Sequence, residues 1–132
     1  KDIFYPLHIR LHFLVHEKED IIEKWRELEN TGENSIILEK AFSGEFTLPG
    51  ENSKIINSNG TWNDEFKWWE DTLKAEKGIE NLRGATGHVA VPWVMVYQNA
   101  GENYGETWLG VLAYLGNFKV VTEQTPYEYL NL

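Results

Sequence analysis

The chain has 132 residues, 42% hydrophobic and 25% charged, with no cysteine and a net charge of −9; this is the profile of one globular domain, long enough to bury a core without a disulfide or a metal. The lack of thiols excludes disulfides, thiol catalysis and cysteine-ligated zinc and points to the cytoplasm, while the acidic balance argues against nucleic acid and anionic membranes, which select cationic surfaces. No apolar run approaches the roughly 20 residues of a membrane-spanning helix, and Lys1-Asp2-Ile3-Phe4-Tyr5 is neither a Met start nor a signal peptide, so both ends read as cuts in a longer chain.

Leu7, Ile9, Leu11, Phe13 and Val15 alternate with His8, Arg10, His12 and His16, the period of two that gives a strand one apolar and one polar face. Residues 17–20 form a polar turn. Residues 21–29 are ambiguous, because Ile21, Ile22, Trp25 and Leu28 also fit one helical face. The turn signal Asn30-Thr31-Gly32 and a further β-like run at 35–42 favour strand. Phe46-Thr47-Leu48 predicts a short strand ending at Pro49-Gly50, and residues 54–57 another, closed by Asn59-Gly60. Residues 62–73 read as strand then loop, with a helical turn over 71–77.

In the second half, residues 88–97 make a long apolar run. Pro92 lacks a ladder donor and so belongs at an edge, a bulge or a strand start. Residues 98–104 read as a hairpin loop and 105–115 as a strand. Gly116-Asn117 turns into a last strand over 118–123. Turn signals every 8–12 residues predict an all-β antiparallel sandwich of about eight to ten strands, spanning 1–132 as a single domain.

The chemistry-bearing groups are few. His8, His12 and His16 share one strand face, but neighbours in that series lie roughly 13 Å apart at about 3.3 Å per residue, too far for zinc–nitrogen bonds of about 2.0–2.1 Å. The pairs Asp64-Glu65 and Glu70-Asp71 show nothing of the spacing of an acid/base dyad and read as solvated surface. Trp62, Phe66, Trp68 and Trp69 crowd eight residues. Their rings would serve either as a carbohydrate platform or as filling for a core or an interface, since aromatics dominate both. Gly84-Ala85-Thr86-Gly87 lacks a phosphate-loop pattern and its lysine, and there is no nucleophile elbow. Residue chemistry alone reaches a soluble all-β domain with a possible sugar link.

The stretch Arg83-Gly84-Ala85-Thr86-Gly87-His88-Val89-Ala90-Val91-Pro92-Trp93 goes further. It resembles a segment of glycoside hydrolase family 36, the bacterial α-galactosidases, in which Arg-Gly precedes two small residues, a His and a Pro-aromatic step. Gly105-Glu106 and Tyr114-Leu115-Gly116-Asn117-Phe118 are similar to that family's Gly-Glu and Tyr-Ser-Gly-Asn-Phe, Gly60-Thr61-Trp62 to its Gly-x-Trp, and Asn30-Thr31-Gly32 to its Asn-x-Gly. Thr86-Gly87-His88 and Val91-Pro92-Trp93 depart from the usual Ser-Ser-His and Asn-Pro-Phe, and Asp64-Glu65 stands where Arg-Glu is usual, which marks a divergent branch.

The resemblance implies part of an N-terminal β-supersandwich of the galactose-mutarotase type. The two catalytic aspartates would sit in a following (β/α)8 barrel, so no catalytic residue carries over to this chain, and neither a cofactor nor a metal is implied. The implied partners are that barrel in the same parent chain, galactosides, and further copies in a homo-oligomer. Trp62, Trp68 and Trp69 are the candidate contacts to sugar or to another domain. Two rival readings are a free-standing carbohydrate-binding module and a purely structural interaction domain.

Overall fold

The computed structural model describes residues 4–49, 52–73, 76–84, 89–124 and 129–131. Contacts divide the chain into two compact units, Lys1–Glu45 and Phe46–Leu132. No helix occurs among the described residues.

The first unit is built on a long ribbon, β1 (Leu7–His16) paired antiparallel with β2 (Ile21–Asn30) from Leu7↔Asn30 to His16↔Ile21. The four-residue turn between them is closed by the Glu19 N–H donating to the His16 carbonyl at 3.2 Å, with Asp20 in the left-handed region. Strand rather than helix therefore wins at residues 21–29. The register explains why: it sets Ile22 opposite Val15 and Leu28 opposite Ile9, cross-strand apolar pairs that a lone helix would lack. The ribbon ends where the Gly32 N–H donates to Asn30 Oδ1 at 3.0 Å. The expected strand over 35–42 does not form. Ile37 there is 89% exposed, and a β-prone sequence without a partner edge has no ladder to join.

The second unit holds two four-stranded antiparallel sheets. One has the order β3 (Thr47–Pro49), β10 (Tyr129–Asn131), β9 (Phe118–Gln124), β6 (Lys77–Asn81). The other has the order β5 (Asp64–Thr72), β4 (Lys54–Thr61), β7 (Trp93–Gly101), β8 (Tyr104–Val111). Ile55, Val94 and Val96 from the second sheet and Ile79 and Phe118 from the first join Leu73 and Ala90 in one buried cluster. This is the all-β antiparallel sandwich expected from the turn spacing, and its eight strands among the described residues fall within the expected number.

Three details differ from the sequence reading. Strand β4 does not stop at Asn59-Gly60; it runs on to Thr61, and the turn lies at Trp62-Asn63. Gly60 is buried at a register shift, where a Cβ would stand 2.6 Å from the Glu65 Cα, so here the glycine serves close backbone approach within a hairpin rather than reversal. The helical turn expected over 71–77 is replaced by the end of β5 and the start of β6, with residues 74–75 outside the described set. Likewise β7 starts only at Trp93, directly after Pro92, and runs through the expected loop to Gly101. That is the strand-start position open to a residue without an N–H.

Pro92 explains a second buried feature. The β4–β7 ladder is registered from Lys54↔Tyr97 to Ile56↔Met95 and goes no further. Beyond it, fully buried Asn57 donates through Nδ2 to the Val91 carbonyl at 3.2 Å and to the Trp93 carbonyl. A side-chain amide thus satisfies the carbonyls on both sides of the proline.

Candidate functional site

Successive side chains of a strand point to opposite faces, so the register of the β5-β4-β7-β8 sheet sorts its residues without ambiguity. Ile55, Val94 and Val96 face the core. The other face takes Lys54, Ile56 and Ser58 from β4 and Trp68, Glu70 and Thr72 from β5. From β7 it takes Trp93, Met95 and Tyr97, opposite Val111, Leu109 and Thr107 of β8.

This outer face has an aromatic end and a polar end. At the aromatic end Trp68 is 65% exposed and its ring centroid lies 5.3 Å from that of Trp93, tilted by 52°, within the range of favourable edge-to-face arrangements. At the polar end one carboxylate joins two strands: Lys54 Nζ donates to Glu70 Oε1 at 2.7 Å and the Tyr97 hydroxyl donates to Glu70 Oε2. The Lys54 ammonium also lies 5.7 Å from the Tyr97 ring centroid.

These contacts shift the three groups in physically consistent directions. Hydrogen bonds from Lys54 and Tyr97 hold the Glu70 carboxyl below its ordinary value, and the Glu70 bond and charge raise Lys54. The same hydrogen bond, followed by burial, raises the Tyr97 phenol. A depressed carboxyl contributes stability above its unfolded pKa, lost as the pH falls through the folded value. A raised phenol contributes stability below its unfolded pKa, lost as the pH rises through the folded value. In an ultraviolet titration at alkaline pH, Tyr97 is expected to ionise above the ordinary tyrosine range. Glu70→Gln should return that midpoint toward the ordinary value, because the carboxylate acceptor and its charge are both gone.

The three tryptophans singled out by sequence do not share one surface. Trp62 stands at the tip of the β4–β5 turn, 85% exposed. Trp68 lies on the outer face, whereas its neighbour Trp69 packs against the core and carries the Lys77 ammonium 4.5 Å from its ring centroid. The same alternation separates the adjacent carboxylates: Glu70 meets Lys54 and Tyr97, while Asp71 meets Lys77. Asp64 pairs with Lys67 at 2.5 Å, and Glu65 accepts from the Asn63 N–H.

On the polar face of the ribbon, His16 Nε2 lies 2.7 Å from Glu23 and the His12 ring stacks on Trp25 at 4.9 Å. No group of three metal-capable side chains forms among the described residues.

Two stretches far apart in sequence meet at the β6–β9 pairing. The Gly84 N–H donates to Asn117 Oδ1 at 2.7 Å, Asn81 pairs with Phe118, and Gly84 takes a positive φ of 74°. Arg83-Gly84 and Gly116-Asn117-Phe118 are thereby parts of one turn-and-strand junction, while Ala85-Thr86-Gly87-His88 lie outside the described residues. Sequence reasoning missed Lys54, Trp93 and Tyr97, which only strand pairing brings beside Trp68 and Glu70. The available signal was the i, i+2 spacing within 54–58, 68–72 and 93–97.

All 132 residues match the family described as glycosyl hydrolase family 36 N-terminal domain. The α-galactosidase AgaA of Geobacillus stearothermophilus is 29% identical over 120 residues, which cover 89% of this chain and 16% of that protein. A crystal structure of the α-galactosidase from Lactobacillus brevis superposes with a TM-score of 0.91 at 26% identity, over 98% of this chain and 18% of that one. The complex of an AgaA variant with 1-deoxygalactonojirimycin gives 0.91 and 26%, over 99% of this chain and 18% of that one. The chain therefore spans less than a fifth of the length of these relatives.

Proposed function

Since the chain belongs to the N-terminal domain family of glycosyl hydrolase family 36, we propose that it serves as a non-catalytic sandwich in a longer α-galactosidase-type glycosidase, scaffolding the catalytic barrel, the rim of its pocket or an oligomer. In this reading the parent cleaves terminal α-galactosides with retention, through a covalent glycosyl-enzyme formed by carboxylates of the barrel.

The observation that carries this is the match of all 132 residues to that N-terminal domain family, over less than a fifth of the length of the α-galactosidases the chain resembles, and the carboxylates of β5 agree with it. Retaining hydrolysis needs two carboxyl groups roughly 5–5.5 Å apart, facing one sugar ring. Here Glu70 and Asp71, one of two adjacent acid pairs on β5, point to opposite faces of the sheet, Glu70 held by Lys54 and Asp71 by Lys77. The support extends to the relatives, whose names identify them as α-galactosidases.

The test is an assay of the 132-residue chain with p-nitrophenyl α-galactoside, melibiose and raffinose. No turnover is expected. Turnover that survives removal of contaminating enzyme would place a complete active site in this chain and overturn the proposal. A second reading, a carbohydrate-binding module, draws support from the exposed Trp68 beside a hydrogen-bonding network.

A further inference from the structure

We infer that the outer face of the β5-β4-β7-β8 sheet is a binding surface for a neutral oligosaccharide, with Trp68 as the stacking platform and the Lys54–Glu70–Tyr97 network as the group that orients hydroxyls. The inference rests on the second, carbohydrate-binding reading above and names its residues and ligand class; it is independent of the scaffold reading.

The face combines two features that such a ligand requires. Trp68 offers a flat apolar ring, 65% exposed and braced by Trp93, for the C–H face of a pyranose. Glu70 stands two residues along the same strand, about 7 Å away at 3.3–3.4 Å per residue, close to the reach of one sugar ring. Its carboxylate accepts hydrogen bonds, while Lys54 donates, and the Tyr97 hydroxyl does both. These groups already bond one another, so their rotamers are held before a ligand arrives, which lowers the ordering cost of binding. Beneath them, Ser58, the register partner of Trp68, is fully buried, with its hydroxyl unpartnered among the described residues.

Charge selects the ligand class. At the paired positions of this face the charged side chains are Lys54 and Glu70, and they neutralise each other. The surface is thus locally neutral on a chain of net charge −9, which suits an uncharged polyol and repels phosphate or sulfate polymers. The apolar edge of β8, with Leu109 61% and Val111 66% exposed, gives a second strip for a longer chain.

The experiment is isothermal titration calorimetry of the 132-residue chain with raffinose, melibiose and maltotriose, with circular dichroism and sedimentation as controls. Saturable binding of at least one of these is expected. Trp68→Ala should weaken it at least tenfold, Tyr97→Phe severalfold, and Trp62→Ala should leave it unchanged. Tyr97→Phe keeps the ring and removes only the hydroxyl, so it remains informative if Trp68→Ala misfolds. Absence of binding to all three sugars, or equal loss in Trp62→Ala, overturns the inference. So does the finding that the chain self-associates through Trp68 without binding sugar, which would make this a protein interface. Turnover of p-nitrophenyl α-galactoside bears only on the proposed function, so either proposal can fail without the other.

Discussion

Replacing Asn57 with alanine is expected to destabilise the second unit by about 3 kcal/mol, because a buried acceptor left without its donor costs roughly 1–3 kcal/mol and Asn57 serves two. Its Nδ2 donates to the carbonyls of Val91 and Trp93, and the residue has no exposed surface. No main-chain donor can replace it at the step between those carbonyls, since Pro92 has no N–H. Urea denaturation with an unchanged m-value would read the loss directly. Asn57→Asp is expected to be at least as damaging, since it replaces the donor with a carboxylate facing two carbonyl oxygens in a buried setting. A loss below about 0.5 kcal/mol, the usual range for an inert surface site, would show that the amide does not hold the entry to β7.

The second large effect is expected at Ile55. This side chain is fully buried between the sheets and lies opposite Val96 of β7. Isoleucine-to-alanine changes at such positions cost about 2–5 kcal/mol, the lost transfer energy plus the cavity that the neighbours cannot fill. Close neighbours from both sheets surround Ile55, which favours the upper half of that range. Ile37→Ala is the matched control: at 89% exposure it should change stability by no more than about 0.5 kcal/mol. Similar losses at both positions would contradict the placement of the core.

Both predictions concern stability, and they frame what the proposed role demands. A scaffold acts by holding its surface rigid, so Asn57 and Ile55 would affect a parent enzyme only through folding. The outer-face residues are different. Glu70 and Tyr97 are bound chiefly to Lys54 and to each other, so changes there should alter ligand contacts with little loss of fold. Exposed ion pairs of this kind contribute little to stability, which makes their mutual arrangement easier to attribute to recognition.

Local pattern determined much of this protein. The alternation from Leu7 to His16 predicted β1, turn chemistry at Asn30-Gly32 ended β2, and Pro92 was limited to an edge, a bulge or a strand start, the last of which the structure takes, because side-chain period and missing donors act within a few residues. The likeness to glycoside hydrolase family 36 was also legible, carried by Arg83 to Trp93, Gly105-Glu106 and Tyr114 to Phe118, with Gly60-Thr61-Trp62 and Asn30-Thr31-Gly32 upstream. What the sequence could not determine was anything that depends on which strands pair. The tertiary structure alone set Trp68 beside Trp93 and turned Trp69 inward. It alone joined Lys54, Glu70 and Tyr97, and it left residues 35–42 without a ladder. The reason is that these contacts join residues 16 to 43 positions apart, through a strand register selected by the burial of a whole sheet face rather than by any one segment.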